Sequence, residues 1–181
     1  MRKRDPLADS PELIRRIYSY VAYRLGAGPD AEDVTSDVFE RALRYRDSYD
    51  PARGEPLGWL LGIARRCVDD AVRTRVVTTP EAPDAASDEN VEAEAVERLT
   101  VATAVSRLDA RAQDLIALRY GADLTAREIA RVLGVKTNAV EVALHRALAR
   151  LRPDLERERE TQGPGEASGP AAEASVSTSG K

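Results

Sequence analysis

Leu13, Ile14, Ile17, Tyr18, Val21, Ala22 and Leu25 recur three and four residues apart. At 3.6 residues per turn that spacing puts them on one face of an α-helix. The pattern returns at Val34, Val38, Phe39, Ala42 and Leu43. It returns again at Trp59, Leu60, Ile63, Ala64, Cys67, Val68, Ala71 and Val72. Three apolar stripes of matching length predict a small helical bundle. Hydrophobic residues make up 43% of the chain but aromatics only 4%, so the core must be aliphatic and alanine-rich, which favours helix over sheet. The breaks agree. Ser10-Pro11 reads as an N-cap followed by proline at the first helical position. Gly26–Asp30 (GAGPD) ends that helix, with Asp30 placed to cap the next, and Ser48–Pro56 is rich in turn residues.

A second lobe follows. Leu99, Ala102, Val105 and Leu108 start it, and Asp109 is placed to cap a helix bearing Ala112, Leu115, Ile116 and Tyr120. Thr125 and Glu128 form a T-x-x-E capping box at the head of a helix carrying Ile129, Ala130 and Leu133. Gly134 makes the turn, and Val140, Leu144, Ala147, Leu148 and Leu151 line the helix beyond it. Two helices joined by a glycine turn, the second longer and basic toward its end, form a helix-turn-helix pattern. The predicted fold is all-α. A flexible N-terminus (1–9) and a first lobe (10–75) are followed by a linker (76–97), a helix-turn-helix lobe (98–160) and a tail (161–181) rich in Gly, Pro, Ser, Ala and Thr.

The net charge of -4 is unexpected in a chain with a DNA-reading motif, and its distribution explains it. Residues 1–75 hold 14 basic and 13 acidic residues, and the second lobe 12 against 9. The linker holds seven acids and no lysine or arginine, with its second half expected to begin a helix. A lobe with an excess of only three positive charges can neutralise few phosphates, and each neutralised phosphate adds affinity through counterion release. Alone it should bind DNA poorly. Either dimerisation or a larger partner must supply the rest.

Other classes fall away. The single Cys67 excludes an intrachain disulfide or a cysteine cluster for zinc and suits a reducing cytoplasm. The single His145 excludes a metal site or dyad built on two histidines. The longest uncharged apolar stretch, Pro56–Ala64, is far shorter than the ~20 residues a membrane span needs, so no membrane association is expected. There is no glycine-rich phosphate loop, metal cluster or nucleophile motif, so neither cofactor nor catalytic residue is expected, and the protein is expected to be soluble and cytoplasmic.

DAEDVTSDVFERAL (Asp30–Leu43), GWLLGIARRCVDDAVR (Gly58–Arg73), LGV before the last helix and LHRALARLR within it stand in a specific order. Together they resemble the extracytoplasmic-function sigma factors of bacteria over residues 10–152. The resemblance implies a promoter-specificity subunit that binds core RNA polymerase, recognises promoter DNA and takes part in promoter melting. Glu32, Asp33, Ser36, Asp37, Glu40 and Arg41 would dock on the clamp helices of the largest subunit. Ser48, Tyr49, Asp50, Arg53, Trp59, Arg65, Arg66 and Arg73 match the positions that read and open the minus-ten element. The second lobe would bind the minus-thirty-five element and the flap of the second-largest subunit. Its candidate DNA contacts are Thr125, Arg127, Lys136, Thr137, Asn138, Glu141, Val142, His145 and Arg146. The acidic linker would occupy a positive channel near the active centre. An anti-sigma factor is a further partner the resemblance allows.

The recognition helix departs from the family pattern. Lys136, Thr137 and Asn138 stand where Ser, an acid and Gly are usual, and Glu141, Val142 and Ala143 where a basic residue, Ser and Arg often stand. Base contacts are therefore assigned from chemistry: Arg146 and His145 face the groove with Glu141, since arginine pairs with guanine and glutamate accepts from cytosine.

Blander readings accompany these. Asp33 and Asp37 also fit a solvated helix face, Trp59 fits the core better than a base wedge, and Arg65 and Arg66 could merely coat their helix. Cys67 reads as inert packing. Tyr18, Tyr20 and Tyr23 cannot share a face, so at least one should be exposed. Rival functions are an autonomous helix-turn-helix regulator binding DNA as a dimer, and a helical adaptor that does not bind DNA.

Overall fold

The computed structural model describes residues 5–78 and 103–161, and all regular structure in them is helical. Helices α1 (Ser10–Leu25), α2 (Pro29–Arg44) and α3 (Pro56–Thr78) form the first lobe. The second contains a helical turn at 103–106, α4 (Ala110–Ile116) running into a π-helical turn (Ala117–Gly121), α5 (Ala126–Leu133) and α6 (Thr137–Thr161). The expected linker helix and the starting residues Leu99 and Ala102 fall outside the described residues.

The first lobe packs as its stripes require. Leu13, Ile17 and Val21 of α1 meet Val34, Val38 and Ala42 of α2 and Leu60, Ala64, Cys67 and Val68 of α3, all buried. The edges of the stripes differ from expectation. Ile14 and Leu43 are exposed, because a stripe wider than the facing helices can cover leaves its margin in water, while Leu57 and Leu61 join the core. Ser10 lies inside α1 with Asp9 at the N-cap, and its hydroxyl donates to the Leu7 carbonyl instead of capping the helix. Asp30 sits in the first turn of α2 behind Gly28 and pairs with Arg75 of α3, so it ties two helices together. The loop holds two short 3-10 turns, Arg46–Ser48 and Pro51–Arg53.

The local signals of the second lobe are realised. The Asp109 carboxylate accepts from the Ala112 N–H at 3.0 Å. Thr125 and Glu128 form both bonds of the capping box, and Gly134 takes the left-handed φ of 67° that closes α5. Tyr120 and Leu148, expected in the stripes, are exposed. Helix α6 runs through Pro153 to Thr161.

The two lobes pack together around one continuous apolar core. The π-helical turn lies against α1 so closely that a Cβ on Gly121 would stand 2.9 Å from the Ser19 carbonyl oxygen and the Tyr20 Cα. Only glycine permits that approach without movement of backbone. Here also lies the answer on the tyrosines: Tyr20 is fully buried and Tyr18 and Tyr23 are half-buried, so none is exposed, because the second lobe covers part of α1 that the bundle alone leaves open.

Candidate polymerase and promoter interfaces

On α2, Glu32, Asp33, Ser36, Asp37 and Glu40 are all exposed. Their spacing of three and four keeps them on the face opposite Val34, Val38 and Ala42. Ser36 donates its hydroxyl to the Glu32 carbonyl at 3.0 Å. Arg41 is half-buried and reaches Asp70 of α3 at 3.4 Å. The face is thus a ridge of carboxylates backed by a rigid bundle.

The loop before α3 is held by its own side chains. Tyr49 is buried, donates its hydroxyl to the Gly54 carbonyl at 3.0 Å and packs its ring against Trp59 in a tilted pair, with centroids 5.7 Å apart and planes at 57°. Asp50 accepts from the Ala52 N–H at 3.0 Å and so caps the second 3-10 turn. Ser48 donates to the Tyr45 carbonyl at 2.6 Å. Ser48, Asp50 and Arg53 stay exposed on this braced loop, and Trp59 is half-buried at its base. Arg66 and Arg73 point outward from α3, Arg73 pairing with Asp70 at 3.1 Å. An open groove of about 380 Å³ brings Arg66 together with Arg41, Arg44, Tyr45 and Ile63. Sequence reasoning had set Arg41 and Arg66 in separate groups and passed over Arg44 and the C-cap Tyr45; their positions three and four residues after Arg41, at the end of α2, were the available signal.

Arg65 is different. Its Nε donates to Asp114 of α4 at 2.9 Å, and the same carboxylate accepts from the Tyr20 hydroxyl at 2.7 Å and from Arg24 at 3.3 Å. Asp114 is buried, as is the Arg24 side chain, whose Nε has no partner. Burial first, then the Asp114 charge, pushes the Tyr20 hydroxyl far above its usual value. Nearby, the Arg16 Nε donates to the Ala122 carbonyl at 2.8 Å, and its Nη2 to that of Asp123 at 2.9 Å. Sequence reasoning missed Tyr20, Arg24, Asp114 and Arg16 as a group, since no local pattern joins them.

On the second lobe, Asn138, Glu141, Val142, His145 and Arg146 are exposed on one side of α6, with Lys136 preceding its first turn and Thr137 half-buried. That side is opposite the buried Val140, Leu144 and Ala147. Thr125 is engaged in the capping box, whose hydroxyl bond is the main reason the Glu128 carboxyl lies below its ordinary value. Arg127 is exposed on α5. Cys67 is buried in α3, and burial raises its thiol. No group of acids, histidines and cysteines among the described residues could hold a metal. Nor is any described helix long and apolar enough to cross a membrane.

Sigma-70 region 2 matches residues 12–77 and sigma-70 region 4 matches residues 98–151. The ECF RNA polymerase sigma factor SigD of Mycobacterium tuberculosis is 34% identical over 84% of this chain and 78% of its own length. The chain belongs to the extracytoplasmic-function sigma factors. A further member, the ECF RNA polymerase sigma factor BldN of Streptomyces coelicolor, is 38% identical over 76% of this chain, and the chain spans 56% of that relative's length. Among solved structures, CnrH in complex with the cytosolic domain of CnrY is 27% identical, covering 83% of this chain and 85% of that one, with a TM-score of 0.59. The sigma factor RpoE of Bartonella quintana, in complex with the anti-sigma factor NepR, covers 82% of this chain and 94% of its own with a TM-score of 0.63. At 17% identity that likeness shows a shared sigma-factor fold. As a class, sigma factors are generally non-enzymatic regulators of transcription.

Proposed function

We infer that this sigma factor binds core RNA polymerase and directs it to specific promoters, with the first lobe opening the minus-ten element and the second holding the minus-thirty-five element. The carrying observation is that regions 2 and 4 stand in one chain, in order, joined by a linker of net charge -7. The match to both regions disfavours the autonomous dimeric regulator.

The carboxylate ridge of α2 docks on the clamp helices of the largest subunit, where exposed acids on a rigid helix meet a basic partner. The braced loop Ser48–Glu55 and the Trp59, Arg66 and Arg73 side of α3 take the non-template strand, guanidinium groups gripping phosphates. Arg65 joins them once its present partner is withdrawn. Helix α6 enters the major groove, Arg146 and His145 flanking Glu141, while Thr125, Arg127, Lys136, Thr137, Asn138 and Val142 lie along the phosphate and groove edge. The flap of the second-largest subunit supports that lobe. The acidic linker fills a cationic channel of the polymerase. A cytoplasmic site of action follows from that role, and an anti-sigma protein is a natural antagonist, as in the RpoE–NepR pair.

Run-off transcription tests this. Core polymerase plus the purified chain should initiate at a defined set of start sites in a genomic template library. Core enzyme alone, or core with Asp33→Arg/Asp37→Arg, should not. Absence of any specific start site would overturn the reading.

A further inference from the structure

The cluster around Asp114 sits between the lobes. One carboxylate on α4 accepts from Tyr20 and Arg24 of α1 and from Arg65 of α3, at 2.7, 3.3 and 2.9 Å. Asp114 therefore ties α1 and α3 of the first lobe to the second. It also occupies Arg65, one of the guanidiniums assigned to the promoter strand, with an anion of the chemistry a phosphate would offer. Close by, the side chain of Val132 on α5 comes within 3.7 Å of the Cβ position of Gly58, next to Trp59. Arg16 holds the corner after the π-helical turn, where Asp123 takes a left-handed φ of 51°.

Geometry makes this arrangement incompatible with promoter reading. Elements centred about 25 base pairs apart, as the names minus-ten and minus-thirty-five imply, are separated by roughly 85 Å at about 3.4 Å per pair. Residues 79–102 can span a distance of that order only at full extension, at most ~3.3–3.6 Å per residue. Lobes held together through a 2.7 Å hydrogen bond cannot also sit on both elements. The packed form must open before the chain can work.

The hold is also of a kind that can be released. Ionised groups taken out of water recover much of their mutual attraction as hydration when they separate. The Arg24 Nε, buried without an acceptor, gains a water partner on opening.

We propose that the Asp114 cluster is an intramolecular latch that holds the free chain closed and inactive, with Asp114 standing in for nucleic-acid phosphate at Arg65. The proposal rests on the sigma-factor reading. Binding to core polymerase selects the open form and pulls the latch apart, so closure lowers the apparent affinity by the fraction of molecules that are open.

Two independent variants of the full chain test it. Asp114→Asn removes the charge at nearly constant shape. Gly121→Ala leaves the latch chemistry intact but drives a methyl group into the α1 backbone, forcing the lobes apart. Each is compared with wild type by circular dichroism for helix content, by small-angle X-ray scattering for the radius of gyration, and by titration with core RNA polymerase. Both variants should keep their helix content, expand, and bind core polymerase on the order of tenfold more tightly. An unchanged radius of gyration in the folded variants overturns the latch. Expansion without tighter core binding overturns its inhibitory role. If no chain binds core polymerase, wild type included, the sigma reading fails and the inhibitory role with it, while the scattering still decides whether Asp114 holds the lobes together.

Discussion

The Tyr20 hydroxyl donates a 2.7 Å hydrogen bond to the Asp114 carboxylate across a sequence separation of 94 residues. A neutral donor on a charged acceptor contributes about 1.5–3 kcal/mol, so Tyr20→Phe should lower the unfolding free energy by about that much at neutral pH. The pH dependence has a definite sign. Burial and the adjacent carboxylate raise the Tyr20 hydroxyl, whereas the unfolded tyrosine ionises near its ordinary value of about 10. The contribution is therefore fully present below pH 10 and lost as pH climbs above it. In urea melts the gap between wild type and Tyr20→Phe should narrow steadily above pH 10. A gap that stays constant to high pH contradicts the buried, neutral Tyr20.

The capping box gives the opposite trend. The Glu128 carboxyl is held below its ordinary value of about 4.5, chiefly by the Thr125 hydroxyl and then by the Thr125 N–H. Its contribution is present above that value and disappears as pH falls below it. Thr125→Ala should cost about 1 kcal/mol at neutral pH. Glu128→Gln should flatten the acid limb of the stability profile, as followed by thermal melts between neutral pH and the carboxylate range.

These two sites also mark what the sequence could reveal. The capping box, the Asp109 cap and the Gly134 turn are local: three or four residues determine each, and all three stand as their spacing implies. Stripe centres such as Ile17, Val38 and Val140 are legible because helical period alone places them. Stripe margins are not, since Ile14, Leu43, Tyr120 and Leu148 depend on how far the neighbouring element reaches. The Asp114 cluster is the extreme case. Its partners Tyr20, Arg24 and Arg65 lie 94, 90 and 49 positions away, and on its own short helix Asp114 looks like any solvated acid. Likewise Gly121 is one glycine among eleven until α1 is laid against it. Of the candidate interface residues, the acidic ridge and the outer face of α6 follow from periodicity, whereas the bracing of Tyr49 by Gly54 and Trp59 required the folded loop.

Charge reversal on α2 should separate docking from folding. Asp33 and Asp37 are exposed, and surface substitutions away from special features shift stability by no more than about 0.5 kcal/mol. Asp33→Arg/Asp37→Arg should leave melts unchanged and weaken association with core polymerase by on the order of tenfold or more, as like charges then face each other. Equal core affinity in a competition titration would remove the α2 ridge from the interface.

The recognition helix offers a contrast between two exposed residues. Glu141→Ala should redistribute start sites among promoters that differ in the upstream element, by about 1–3 kcal/mol per discriminated base pair. Lys136→Ala should instead weaken all promoters alike, as loss of a phosphate contact does. The reverse pattern, with preference abolished by Lys136→Ala and untouched by Glu141→Ala, would transfer base reading to the start of α6.

Neither lobe carries enough positive charge to grip DNA alone, so selectivity arises only on the polymerase. The most direct measurement is the affinity of the purified chain for a cognate promoter fragment at physiological salt, with and without core RNA polymerase. Binding by the chain alone should be weak and sequence-indifferent, and a specific, stable complex should form when core polymerase is added. Tight binding to one site by the chain alone would contradict it.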